Sequence, residues 1–308
     1  MSQNRKLDKK DFLSISDMSK KEIIHIFEIA EKLKKKKLDI SHKNKFLGLI
    51  FDKSSTRTRV SFQVAMSKLG GNTIDLNPST SQIGRGEPVK DTARVLSRYC
   101  DVLAIRTFSQ SLLEEYSKWA TIPVINALTD LEHPCQALAD FLTIKEEFVD
   151  FKNEVLTFIG DGNNVANSLI LTGALLGIEV RIACPEGYEP SPFIINKAKM
   201  IYGSKNLLKI YHDPSLAALG ANVLYTDVWS SMGEENKRDA KDIDFNGFTI
   251  DRNLVCKSND DVIILHCLPA YRGKEISEEI FESKKSRIFE QAENRMHVQQ
   301  ALLSYLLT

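Results

Sequence analysis

Short apolar runs separated by stretches of helical spacing narrow the fold of this chain more than any other feature. The runs fall at 46–51, 73–76, 102–105, 124–126, 155–159, 180–184, 207–211, 223–226 and 262–265. Helical spacing is read at 20–37, 89–99, 109–119, 136–148, 164–176, 192–203 and 214–219, and a last helix at about 291–307 closes the chain. Val60, Phe62, Val64, Ala65 and Leu69, stopped by Gly70-Gly71, predict one more helix after the polar stretch that follows the first run. Parallel strands need a crossover of a dozen or more residues, commonly a helix, so strands alternating with helices predict parallel sheets. A break at 148–153 separates two such successions, and 308 residues suit two domains on the usual ~150-residue scale. The expected fold is α/β: two doubly wound domains with mostly parallel sheets and a substrate cleft between them.

The totals exclude several classes. Hydrophobic residues make up 43% and charged residues 27%, which is ordinary for a soluble globular protein. Lys+Arg and Asp+Glu balance at 41 each, which argues against broad nucleic-acid binding while leaving room for a local basic pocket. The five cysteines (Cys100, Cys135, Cys184, Cys256, Cys267) are scattered, with no CxxC or Cys/His zinc spacing, so a reducing, cytoplasmic setting and no metal are expected. The segment MSQNRKLDKKDF lacks an apolar core of signal-peptide length, and no run approaches the ~18 apolar residues of a membrane span.

The polar residues gather where predicted strands hand over to helices. Ser54-Ser55-Thr56-Arg57-Thr58-Arg59 follows the first run. Helix N-termini offer unpaired N–H groups and the positive dipole end, and arginine forks bind phosphate by two parallel bonds, so the stretch reads as an anion cradle. The alternative is a Ser/Thr cap followed by solvent-facing arginines. Arg106 closes the run 102–105, at the edge where open α/β sheets bind ligands; a surface arginine is the other reading. The loop 77–88 is polar and punctuated by Gly and Pro, suited to binding or to plain exposure. His133 and Gln136 flank a further helix start. Gly160-Asp161-Gly162-Asn163-Asn164 is half of a dinucleotide fingerprint, but Val165 replaces the third glycine. Asp227 follows the run 223–226, as an ammonium-binding acid or a cap, and His266-Cys267-Leu268-Pro269 follows 262–265. Arg295 is either a surface ion pair or a third anion-binding arginine.

The order of these clusters closely resembles the ornithine carbamoyltransferases. Ser55-Thr56-Arg57-Thr58-Arg59 and His133-Pro134-Cys135-Gln136 match motifs shared with the aspartate branch. Asp227-Val228-Trp229-Ser230-Ser231-Met232-Gly233 and His266-Cys267-Leu268-Pro269 match the ornithine branch, and the likeness spans about residues 45–305. The resemblance implies a carbamoyl phosphate domain (1–148), an ornithine domain (149–290) and a C-terminal helix (291–308) packing on the first. It implies carbamoyl phosphate on Ser55, Thr56, Arg57, Thr58, Arg106, His133, Gln136, Cys267, Leu268 and Arg295. Gln82 would reach the site of a neighbouring subunit in a trimer or multiple of trimers. Ornithine would bind Asn164, Asp227, Ser231 and Met232, with Asn163 the competitor of Asn164 on spacing. Arg106, His133, Cys267 and Thr58 would be catalytic, with no cofactor, metal, nucleic acid or membrane involved. Carbamoyl transfer to putrescine or an acylated ornithine is the rival within the enzyme class, and an NAD-dependent oxidoreductase or a non-catalytic relative the rivals outside it.

Overall fold

The runs and periodicities become nine parallel-paired strands and twelve α-helices among the residues described by the computed structural model: 10–52, 55–77, 82, 84, 86–148, 151–230 and 238–308. They form two units. One comprises the described residues of Met1–Leu138 together with Arg295–Thr308, the other those of Ala139–Asn294. The divisions fall inside two helices, α5 (Pro134–Glu147) and α12 (Ile288–Leu306). None of the described helices is long and apolar enough to cross a membrane.

The first unit begins with a 3-10 turn (Ile15–Asp17) and α1 (Lys20–Lys34), which a Ser19–Glu22 capping box starts. Then come β1 (Phe46–Phe51), α2 (Arg57–Lys68), β2 (Asn72–Leu76), α3 (Val89–Tyr99), β3 (Val102–Arg106), α4 (Gln110–Trp119) and β4 (Val124–Leu128). The sheet order is β2-β1-β3-β4, all parallel. Ile50, Leu103, Ile105, Leu113 and Tyr116 belong to one buried cluster of this unit. The chain leaves β1 to one side and returns to its other side, so the reversal point lies between β1 and β3, where Phe51 pairs with Arg106. Ligands of open α/β sheets sit beyond the carboxyl ends at such a reversal. Val60 and Val64 on α2, and Val95 and Tyr99 on α3, are exposed apolar pairs one helical turn apart.

The second unit contains β5 (Val155–Ile159), α6 (Asn164–Leu176), β6 (Glu179–Ala183), α7 (Pro192–Tyr202), β7 (Leu208–Tyr211), α8 (Pro214–Ala218) and β8 (Val223–Thr226). It continues through α9 (Arg238–Asp244), α10 (Arg252–Val255), β9 (Ile263–His266) and α11 (Glu278–Phe281). Its order is β7-β6-β5-β8-β9, again parallel. Here the reversal lies between β5 and β8, where Ile159 pairs with Thr226 and the Thr226 hydroxyl donates to the Ile159 carbonyl at 2.7 Å.

The structure departs from the sequence expectation at helix ends. The helix after β1 starts at Arg57, so Arg57, Thr58 and Arg59 stand inside its first turn rather than before it. The first helix stops at Lys34, and Lys36 has turned to a positive φ of 53°. Helices α9, α10 and α11, of seven, four and four residues, are too short to show a 3.6-residue period.

Candidate functional site

Each unit places polar side chains at its own reversal point. In the first, Thr56 is the residue before α2, yet its side chain makes no capping bond. The cap reading of this stretch therefore fails for Thr56, and the first-turn N–H groups are not taken up by its hydroxyl. Thr56 and Arg57 are exposed and Ser55 is half-buried, whereas Thr58 is 1% exposed. The Thr58 hydroxyl accepts from Arg295 Nη2 at 2.6 Å. Arg59 faces elsewhere: its Nη1 donates to Asp75 Oδ2 at 2.6 Å and its guanidinium lies 5.2 Å from the Phe51 ring centroid, so it braces β1 against β2.

Arg106, His133, Gln136 and Arg295 are all buried in this unit. His133 is the last residue before α5, which Pro134 opens with its fixed φ and missing donor. The preceding Glu132 is also buried. It accepts from the Ser14 hydroxyl at 2.6 Å and the Ile15 N–H at 3.1 Å, which ties the His133 turn to the N-terminal 3-10 turn. Burial, and then the cations of Arg295 and Arg106, hold the His133 imidazole well below its ordinary range. It is a neutral ring in a cationic pocket. Gln82, by contrast, is exposed, and its carbonyl accepts from Glu87 N at 3.2 Å.

This neutral histidine has a measurable cost in acid. The unfolded chain protonates the imidazole near pH ~6.5, whereas the folded chain does so only well below that. Between those values the unfolded state binds more protons, so native stability falls as pH drops below about 6.5. Denaturant unfolding of a His133→Gln variant should show a shallower loss between about pH 6.5 and 5, by up to ~1.4 kcal/mol per pH unit. An unchanged slope would place the acid sensitivity elsewhere.

In the second unit, Gly160–Asn163 joins β5 to α6. Gly162 has room for no side chain: an added Cβ would lie 2.3 Å from Pro190 N and 2.7 Å from the Tyr188 carbonyl oxygen. The glycine pattern is thus explained by packing against residues 188–190, and no dinucleotide needs to be invoked. Asn163 is committed at both ends of its amide. Its Oδ1 accepts from Val165 N and Ala166 N, at 2.9 and 3.2 Å, and its Nδ2 donates to Asp227 Oδ2 at 2.9 Å. Asn164, half-buried, is the first residue of α6. Asp227 Oδ1 accepts from Val228 N at 2.8 Å and from the Cys267 thiol at 3.0 Å. A carboxylate offers about four lone-pair positions, and the donors among the described residues take three of them.

Cys267 follows β9. Burial and then the adjacent Asp227 charge push its thiol well above the ordinary range, against the opposing bond from the Tyr225 hydroxyl. The sulfur is therefore a neutral donor to Asp227 rather than a thiolate. The turn that carries it is fixed by His266 of the same motif and by Glu275 and Gln291, which spacing did not single out. His266 Nδ1 accepts from Leu268 N at 2.8 Å, so its proton sits on Nε2, which faces Glu275 Oε1 at 3.1 Å. Glu275, 1% exposed, also accepts from Tyr271 N at 2.6 Å. Gln291 Oε1 accepts from His266 N at 2.9 Å, while Gln291 Nε2 donates to Asp140 Oδ1 at 2.7 Å and to the Tyr225 hydroxyl at 3.2 Å. Leu268 is half-buried, with φ +59°. The side-chain ligand atoms of Asp227, His266 and Cys267 lie within 4.8 Å of one another, and each residue is engaged in these hydrogen bonds. Ser231 and Met232, expected at the ornithine site, lie outside the described residues.

One reversal point is lined by arginines, histidine and threonine and the other by a buried acid, asparagine and thiol, groups whose chemistry suits an anion at the first and an ammonium at the second. Residues 10–146 match the family model for the aspartate/ornithine carbamoyltransferase carbamoyl-P binding domain, and residues 152–306 match that for the Asp/Orn binding domain. The chain belongs to the aspartate/ornithine carbamoyltransferase family. It is 75% identical to an ornithine carbamoyltransferase from Prochlorococcus marinus (strain MIT 9312), over 98% of each chain. It is similar to the solved structure of ornithine carbamoyltransferase from Pyrococcus furiosus, with a TM-score of 0.91 and 44% identity over 96% of each chain. The Gloeobacter violaceus ornithine carbamoyltransferase structure matches at a TM-score of 0.87 and 46% identity, covering 97% of this chain and 99% of that one.

Proposed function

We propose that this enzyme transfers the carbamoyl group of carbamoyl phosphate to the δ-amine of L-ornithine, giving L-citrulline and phosphate. The observation that carries the acceptor is the Asp227 carboxylate, buried at the second reversal point with three donors among the described residues and a fourth lone-pair position beyond them. That position takes the α-ammonium of ornithine. Asn164 binds beside it, a role supported by the full commitment of Asn163 to its cap and to Asp227. Ser231 and Met232 belong to the same assignment by motif.

The phosphate is held by Ser55, Thr56, Arg57 and the first-turn N–H groups of α2. Gln136, Arg295, Cys267 and Leu268 complete the carbamoyl phosphate contacts, with Gln82 supplied by a neighbouring subunit. The δ-amine attacks the carbamoyl carbon, and the carbonyl oxygen gains negative charge. Arg106, Thr58 and the neutral His133 donate to that oxygen, and one such donor is worth about 2.7–4 kcal/mol in rate terms. The amine must be unprotonated to attack. With a lysine-like pKa of ~10.4, that costs about 4–5 kcal/mol at neutral pH, and the cationic phosphate pocket offsets part of it. Cys267, held as a thiol, keeps Asp227 in place; the proton lost from the amine leaves with the phosphate.

The enzyme works as a homotrimer or a multiple of trimers in the cytoplasm, in arginine biosynthesis. The exposed Val60 and Val64 on α2, and Val95 and Tyr99 on α3, support self-association, since each pair leaves apolar side chains one helical turn apart in water. One assay tests the acceptor: citrulline formation from carbamoyl phosphate and L-ornithine, run beside putrescine and N-acetylornithine. Ornithine is expected to exceed both by at least about 100-fold in kcat/KM, the loss that follows when a buried carboxylate lacks its ammonium partner. Equal use of putrescine would remove Asp227 from its role.

A further inference from the structure

We propose that Lys241 is a positioning residue for the amino-acid acceptor, acting through Asp161 on the turn that carries Asn163 and Asn164. This rests on the acceptor reading given above for Asp227. Lys241 Nζ meets Asp161 Oδ2 at 2.6 Å, with side chains only 5% and 17% exposed. A lysine this buried is unusual unless paired, and an uncompensated partner left behind is costly. Asp161 lies in the Gly160–Asn163 turn, and Asn163 N donates to the Asp161 carbonyl at 2.7 Å. The same Asn163 holds Asp227 Oδ2 through its side chain. A chain of contacts therefore runs from the Lys241 ammonium to the acid that takes the acceptor's ammonium.

A second set of contacts fixes the same helix. Lys241 Nζ lies 5.8 Å from the Tyr188 ring centroid, and the Tyr188 hydroxyl donates to Asp244 Oδ2 at 2.6 Å. The Tyr188 carbonyl accepts from Gly162 N at 2.9 Å, at the point where Gly162 has no room for a Cβ. Directly after α9, Phe245 stacks on Trp229 with ring centroids 5.5 Å apart, and Trp229 stands two residues beyond Asp227. α9 and the residue that follows it thus grip both strand ends of the second reversal point: the β5 turn through Lys241, and the β8 end through Phe245. The aromatic contacts supply apolar burial, whereas the ion pair supplies the directional link to the Asn163 turn.

The test separates positioning from bulk stability. Lys241→Met keeps the length of the side chain and removes its charge. It should raise the KM for ornithine about 10-fold or more, the scale on which loss of a supporting contact weakens a site, and leave the KM for carbamoyl phosphate within twofold. Lys241→Arg should restore the ornithine KM. A double variant, Asp161→Asn with Lys241→Met, has no unpaired charge and should retain the raised ornithine KM, because the link is still missing. An unchanged ornithine KM, an equal rise for both substrates, or a double variant with wild-type KM would overturn the proposal. Wild-type protein that makes no citrulline from ornithine would instead remove the acceptor reading itself.

Discussion

Arg57→Gly is expected to lower kcat/KM for citrulline formation by about 10³-fold or more while the protein stays folded. A hydrogen bond to a charged group is worth about 1.5–3 kcal/mol net, and a donor aimed at developing charge adds about 2.7–4 kcal/mol. Together these reach about 10³- to 10⁵-fold in rate. The fold does not rely on this side chain, which is exposed in the first turn of α2. The thermal midpoint should therefore fall by only a few degrees. Arg59, two residues on, provides the contrast, since its guanidinium is already spent on Asp75 and Phe51. Arg59→Gly should lower the midpoint more than Arg57→Gly and the rate far less. Near-normal turnover of the Arg57 variant would end its assignment to the phosphate.

Asp227→Asn should raise the KM for ornithine by about 30-fold or more, the lower end of what truncating a buried charge partner costs, and leave carbamoyl phosphate binding nearly unchanged. It should also change Cys267. The Asp227 charge, after burial, is what holds that thiol above its ordinary range, and the carboxylate accepts its proton at 3.0 Å. Replacing the carboxylate by an amide removes the charge, so more thiolate forms near pH 8. Iodoacetamide labelling followed by peptide mass spectrometry should show slow modification of Cys267 in the wild type relative to the exposed Cys256, and faster modification in the variant. Equal labelling rates in both proteins would show that Asp227 does not govern the thiol.

The candidate site residues were more legible in the chain than the residues that hold them. Hydroxyls and arginines directly after β1, and His133 before α5, stand out because polar residues at a strand-to-helix junction break an otherwise apolar pattern. The same logic puts Arg106 at a strand edge, and it pairs opposite Phe51 at the reversal point. Glu275 offered no such signal. It sits nine residues beyond His266 in an irregular turn, and only the folded chain brings its carboxylate to 3.1 Å from the imidazole. Lys241 reads as one more charge on a polar stretch until its 5% exposed side chain is seen against Asp161. The glycines misled in the opposite direction. Gly160 and Gly162 suggest a dinucleotide turn, but the demand at Gly162 comes from the backbone of residues 188–190, far away in sequence. Local pattern carries strand, helix and junction chemistry; contacts between distant loops carry no period and leave no trace in composition.

Each sheet reverses its winding beside its own first strand, β1 in one unit and β5 in the other. The arginine- and hydroxyl-bearing junction after β1 and the acid-bearing junction of β5 and β8 are thus written in separate stretches of the chain. For protein engineering this makes the choice of amine an editable property. A library confined to residues 160–164 and 227–232, with the α9 brace kept, can search for new acceptors while the residues proposed to activate the carbamoyl group stay untouched. Such a library would change what receives the group without relearning how to give it away.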